Sequence, residues 1–125
     1  MAAAPPPMRQ PPSIDAYGAG GFRVSGVRRE GSLLIAQDEI RRWRPAALAE
    51  VEVADFDAVF QLGPREVEFV LLGVGPKPAP PPAAVRQALQ AAGIGLEVMD
   101  TPAACRTYNV LAGEGRRVAL ALIAI

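Results

Sequence analysis

The chain has 125 residues, half of them hydrophobic and few of them aromatic, with thirteen basic residues balanced by thirteen acidic ones. That length builds one core and not two, the zero formal charge leaves no electrostatic footprint for DNA or RNA, and a core poor in rings must rest on Val, Leu, Ile and Ala, which points to a layered α/β protein. Histidine is absent, which excludes Ser-His-Asp and Cys-His catalysis and removes the commonest metal ligand; no catalytic residue, metal or other cofactor is assigned.

In chain order, residues 1–12 hold five prolines and three alanines with little to bury, and are expected to form a disordered or polyproline-like tail. They lack the apolar stretch of a signal peptide. A single domain is predicted over 13–125. The glycine-rich run from Asp15 to Gly21 leads into Phe22-Arg23-Val24, which alternates like a half-buried strand, and Leu33-Leu34-Ile35 reads as a second strand after a turn at Glu30-Gly31, giving a hairpin-like opening unit. Gln37 to Trp43 reads as a loop, closed by Arg44-Pro45. Asp55 is expected to cap a short helical turn through Phe60.

A buried strand is predicted from Glu66 to Leu72, ending in Gly73-Val74-Gly75, and the prolines at 76, 78 and 80–82 form a stiff loop. Val85, Ala88 and Leu89 at i, i+3, i+4 predict a helix over about 82–92 with Gly93 as its stop. Ile94 to Met99 is the next strand. Thr101 suits a helix cap with Pro102 at the first helical position, the helix running to Ala112 with Gly113 ending it. Val118 to Ile125 is apolar on both alternating faces and is expected to lie centrally in the sheet, covered above and below. At eight residues it is far below the ~20 that span a bilayer. An α/β fold with helices packed on a mixed sheet follows, with an N-terminal β-hairpin unit.

The run from Asp100 to Asn109 packs an aspartate, two threonines, a thiol, an arginine, a phenol and a carboxamide into one helix. Asp100 and Thr101 suit helix capping, and the helix N-terminus beside strand ends is also where an anion docks. Cys105, the only cysteine, forms no intramolecular disulfide, which is consistent with a reducing cytoplasmic setting. Its place in the first turns would lower a thiol pKa if exposed, and a packed thiol is the plainer reading. Tyr108 and Asn109 need hydrogen-bond partners if buried. Arg106, Arg116 and Arg117 can bind an anion or pair with Glu114 at the surface. Gly73-Val74-Gly75 ends a strand as a phosphate loop does, without a third glycine and without opening into a helix. Trp43 and Tyr17 are read as packed rather than as anchors of a contact surface.

Gly73-Val74-Gly75, Val98-Met99-Asp100-Thr101, Ala104-Cys105, Thr107-Tyr108-Asn109-Val110-Leu111, Glu114, Arg116 or Arg117, and Ala119 to Ile123, with Ile14, Tyr17, Gly18, Gly21-Phe22, Gly31-Ser32 and Trp43 in the front half, form a recognisable set. On these the chain resembles the mitochondrial complex I (NADH:ubiquinone oxidoreductase) assembly factor 3 family and its uncharacterised bacterial and archaeal relatives, from residue 13 onward. The resemblance implies a three-layer fold whose last strand sits inside the sheet and runs antiparallel to its neighbours. It also implies a non-enzymatic role in assembling a membrane respiratory complex through protein partners. Val74 stands where that family usually shows threonine, which removes a hydroxyl from any ligand loop.

Two functional readings follow. The first is a non-catalytic protein-interaction or assembly factor for respiratory complex I or another membrane complex, cytoplasmic and peripheral to the inner membrane through its partners. The alternative is a small-ligand (anion) binding protein or enzyme with a pocket built from Gly73, Gly75, Asp100, Thr101, Cys105, Arg106, Tyr108 and Asn109. A third possibility is that these polar residues specify the fold through a buried network.

Overall fold

The computed structural model describes residues 10–125, so most of the expected 1–12 tail lies outside the described residues; Gln10, Pro11 and Pro12 have no regular structure. The chain opens with three short strands, β1 (Ile14–Gly18), β2 (Gly21–Val24) and β3 (Val27–Glu30), paired antiparallel in the order β1-β2-β3. The opening unit is thus a three-stranded meander rather than a hairpin of 22–24 with 33–35. Its turns are Ala19-Gly20 and Ser25-Gly26, where both central residues have positive φ, the condition under which a two-residue turn matches strand twist.

After Gly31-Ser32 the chain enters a second sheet. Here β4 (Leu33–Ala36) turns back into β5 (Glu39–Arg42), so the segment read as a loop from Gln37 is a hairpin. Its turn residues, Gln37 (φ 48°) and Asp38 (φ 63°), adopt positive φ without a glycine, and so the turn carries no sequence signal. Two 3₁₀ turns follow, Leu48–Glu50 and Val53–Phe56, then α1 (Asp57–Leu62). The cap here is Glu52 rather than Asp55: the Asp55 carboxylate sits three residues on and accepts the Glu52 N–H at 2.8 Å, closing a capping box.

The remaining elements are β6 (Phe69–Gly73), α2 (Ala83–Ala91), β7 (Gly95–Met99), α3 (Thr101–Gly113) and β8 (Val118–Leu122). The large sheet has the order β5-β4-β8-β6-β7. β8 lies inside it, as the apolar pattern requires, but it is antiparallel only to β4; its pairing with β6 is parallel. The expected antiparallel pairing on both sides is corrected by the connection through α3, a crossover that returns the chain in the direction of β6.

The core, expected to be single, is divided by the large sheet into two apolar clusters, and alternation along β8 feeds both. Ala119, Ala121 and Ile123 face Phe56, Val59, Val85 and Leu89 of the α1/α2 layer. Val118, Leu120 and Leu122 face Phe22, Val24, Ala104 and Tyr108 of the layer made by α3 and the small sheet. The result is the three-layer mixed α/β arrangement. Trp43, packed as expected, sits edge-on to Phe56 with ring centroids 5.5 Å apart and donates its indole N–H to the Asp55 carbonyl at 2.9 Å. Tyr17, by contrast, is exposed, because β1 turns that side of its short strand to solvent.

Candidate functional site

Four of the sequence-predicted residues, Gly73, Gly75, Asp100 and Thr101, meet where α3 starts, while Cys105, Arg106, Tyr108 and Asn109 lie further along the helix and do not join them. Gly73 closes β6 on the α3 side, and a Cβ there would lie 2.8 Å from Leu122 Cδ2, 3.0 Å from Thr101 Cα and 3.1 Å from Ala104 Cβ. Glycine therefore lets the first turn of α3 rest directly on the strand. Gly75, at φ +115°, then turns the chain away.

The helix is capped by Asp100 rather than Thr101: the Asp100 carboxylate accepts the Ala103 N–H at 2.8 Å, and Pro102 follows at the second helical position. Thr101 is fully buried and has another task. Its hydroxyl donates to the Ile123 carbonyl at 2.8 Å and accepts the Gly75 N–H at 3.0 Å, while its own N–H donates to the Gly75 carbonyl at 2.8 Å. One side chain thereby joins the ends of β6, β8 and α3.

A helix N-terminus binds anions through unpaired N–H groups. At α3 the Thr101 N–H is bonded to Gly75, position 102 is proline, the Ala103 N–H is bonded to the Asp100 side chain, and the Ala104 N–H bonds the Asp100 carbonyl at 3.0 Å. In the adjoining loop the Val74 N–H donates to the Met99 carbonyl at 3.0 Å. Every donor that a phosphate loop would offer is engaged, and the cap is itself a carboxylate.

Further along α3, Cys105 is buried, and desolvation pushes its thiol up to about 12, against a smaller opposing pull from the Arg106 charge. A thiol so protonated is a packing group and not a nucleophile at neutral pH. Arg106 points to solvent and Tyr108 is buried in the core. Asn109 does something the sequence does not advertise. Its carbonyl oxygen accepts the Ile14 N–H at 2.8 Å and its amide donates to the Ile14 carbonyl at 2.9 Å, so one carboxamide pairs with the first residue of β1 as a neighbouring strand would. Arg116 pairs with Glu68 at 3.0 Å, lies over the Phe69 ring and is also drawn by the Glu114 charge.

Two further residues were given no bonding role by the sequence. Ser32, buried, accepts the Ala124 N–H through its hydroxyl at 3.0 Å and so ties β4 to the chain after β8. Arg44 pairs with Asp55 at 2.7 Å and also donates to the Glu50 carbonyl. A serine or an arginine at a loop junction carries no periodicity, so only the spatial arrangement reveals them. Among the described residues no buried side-chain polar atom lacks a partner, and no helix is long and apolar enough to cross a membrane.

The family model described as "Protein of unknown function (DUF498/DUF598)" matches residues 14–123, a span that runs from the first strand to the Thr101 acceptor, Ile123. The chain belongs to this family. A relative in Rattus norvegicus, "NADH dehydrogenase [ubiquinone] 1 alpha subcomplex assembly factor 3", is 34% identical over 110 residues, covering 88% of this chain and 59% of its own length. The chain thus spans less than two thirds of that relative. An uncharacterised protein of Rhodobacter capsulatus is 37% identical over 112 residues, with 88% of this chain and 82% of that protein covered. Among solved structures, a crystal structure of a Bordetella parapertussis protein superposes with a TM-score of 0.83 at 32% identity, covering 95% of this chain and all of that one.

Proposed function

We propose that the chain is a non-catalytic assembly factor that works by docking to protein partners during the building of respiratory complex I, cytoplasmic and peripheral to the inner membrane through those partners. The observation that carries this reading is the 34% identity to an assembly factor across 88% of the chain. The chemistry at the start of α3 supports it from a second side: of the residues best suited to a reaction or a ligand, Asp100 caps the helix, while Thr101 and Asn109 tie α3 to the backbone at the ends of β6, β8 and β1. An anion at Gly73–Gly75 would have to displace those bonds at a buried site, each costing about 1–3 kcal/mol to leave unmade. The ligand-pocket reading has no comparable support.

The test is deletion of the gene in its native cell, followed by native electrophoresis of the membranes with an in-gel NADH dehydrogenase stain. Loss of the assembled complex, restored by the wild-type chain and equally by a Cys105→Ala variant, is the expected result. A fully assembled complex in the deletion strain would refute the role.

A further inference from the structure

The described sheets have four outer strands, and three are blunted against further pairing. β1 is capped at its first residue, Ile14, by Asn109. β3 carries Arg28, Arg29 and Glu30, and β5 carries Glu39, Arg41 and Arg42, all exposed; charged side chains of this kind keep an edge from recruiting strands. β7 differs. Its five residues are Gly95, Leu96, Glu97, Val98 and Met99, with one charge and half-buried apolar side chains.

The direction of its backbone follows from its pairing with β6. The Gly95 N–H donates to the Glu68 carbonyl and the Met99 carbonyl accepts from Val74, so residues 95, 97 and 99 turn their backbone groups inward. By the two-residue alternation of a strand, the N–H and C=O groups of Leu96 and Val98 point away from the sheet. Beside each lies a groove on the α2 face. One of about 550 Å³ runs past Val98, lined by Pro78, Ala79, Pro80, Pro81, Ala83 and Arg86. A second, of about 260 Å³, lies beside Leu96 and Ile94. Side chains two residues apart on an added strand would drop into these two grooves, while the residue between them would face Glu97 on the opposite side of the sheet.

We infer that the β7 edge is a strand-docking site whose occupant is an extended segment of a partner polypeptide, apolar at alternate positions and bearing a lysine or arginine opposite Glu97. Main-chain bonds to Leu96 and Val98 supply attachment, and the grooves and Glu97 supply register. A second copy of this chain is a poor occupant, since the two-fold antiparallel pairing centred on this strand sets Glu97 against its own counterpart, and like charges directly opposite destabilise a pair. The inference rests on the assembly-factor reading only for there being a partner.

The probe is a capped Val-Lys-Val-Lys-Val peptide titrated into ¹⁵N-labelled chain, with Val-Glu-Val-Glu-Val as the reversed-charge control. Shifts and slowed hydrogen exchange confined to the Leu96 and Val98 amides and their neighbours are expected, with the glutamate peptide binding about fivefold more weakly and Glu97→Lys inverting that order. Because Glu97 is exposed, this variant keeps the fold, which its spectrum verifies. No response at β7, a response elsewhere, or protection of these amides without peptide together with a doubled sedimentation mass would overturn the inference, the last by assigning the edge to a second copy. Peptide binding at β7 beside normal complex I assembly in the deletion strain would instead leave the edge standing and remove the assembly role.

Discussion

The two faces of the large sheet are covered by different chemistry. On the α1/α2 face, Val59, Val85 and Leu89 fill the space over Ala119 and Ala121, and among the described residues no side-chain hydrogen bond ties α1 or α2 to the sheet. On the α3 face, the same kind of apolar packing is joined by Thr101, Asp100 and Asn109, each bonded to a backbone group. The first helices are held by shape, and α3 is held by shape and by address. Interchangeable apolar contacts tolerate small rotations of a helix, whereas a hydroxyl shared between Gly75 and Ile123 does not. α3 is also the helix that must seat against a glycine in the strand beneath it.

The comparison can be pressed from its strongest term downward. Leu89→Ala on the α2 side removes a fully buried side chain and is expected to cost about 2–5 kcal/mol, read by urea unfolding. Thr101→Val keeps volume but strands the Gly75 N–H and the Ile123 carbonyl; about 2–4 kcal/mol is expected, with Thr101→Ser recovering most of it. If the serine variant were as unstable as the valine, the hydroxyl would not be what holds α3, and the contrast between the faces would collapse. Asn109→Leu should cost about 1–2 kcal/mol, with faster hydrogen exchange at Ile14 as its local signature.

The smallest effect is at Asp55. The Arg44 guanidinium, followed by the Glu52 N–H, holds its carboxyl below the usual range against the opposing effect of burial. A depressed carboxyl contributes stability above its unfolded-state pKa and loses it as pH falls through the folded-state value. Asp55→Asn should therefore lower the melting temperature at pH 7, and the gap to wild type should narrow as the pH drops below the ordinary carboxylate range. A gap independent of pH would mean that the substitution acts through packing alone.

Much of this was legible in the residues. The apolar run from Val118 to Ile125 located the central strand, which itself stops at Leu122, and Val85 with Leu89 located α2, because such patterns are local signals. β5 was not legible, since its turn at Gln37-Asp38 takes positive φ without glycine or asparagine, and charged Arg41 and Arg42 read as loop rather than edge strand. The polar density of α3 was visible, but its meaning was not: the acceptors of Thr101 and Asn109 lie 22 and 95 residues away, beyond any spacing rule. The parallel sense of β8 against β6 likewise depends on how α3 crosses the sheet.

The place of β8 also has a kinetic side. The β4–β5 hairpin and the β6–α2–β7 unit each close over short stretches of chain, yet they are neighbours of β8 and not of one another. Leu33 meets Leu122 and Leu71 meets Leu120, contacts that bring together distant parts of the chain and so come late and at high entropic cost. Both neighbours of β8 keep a bare inner edge until it pairs, so its docking is expected to be the step that limits the folding rate.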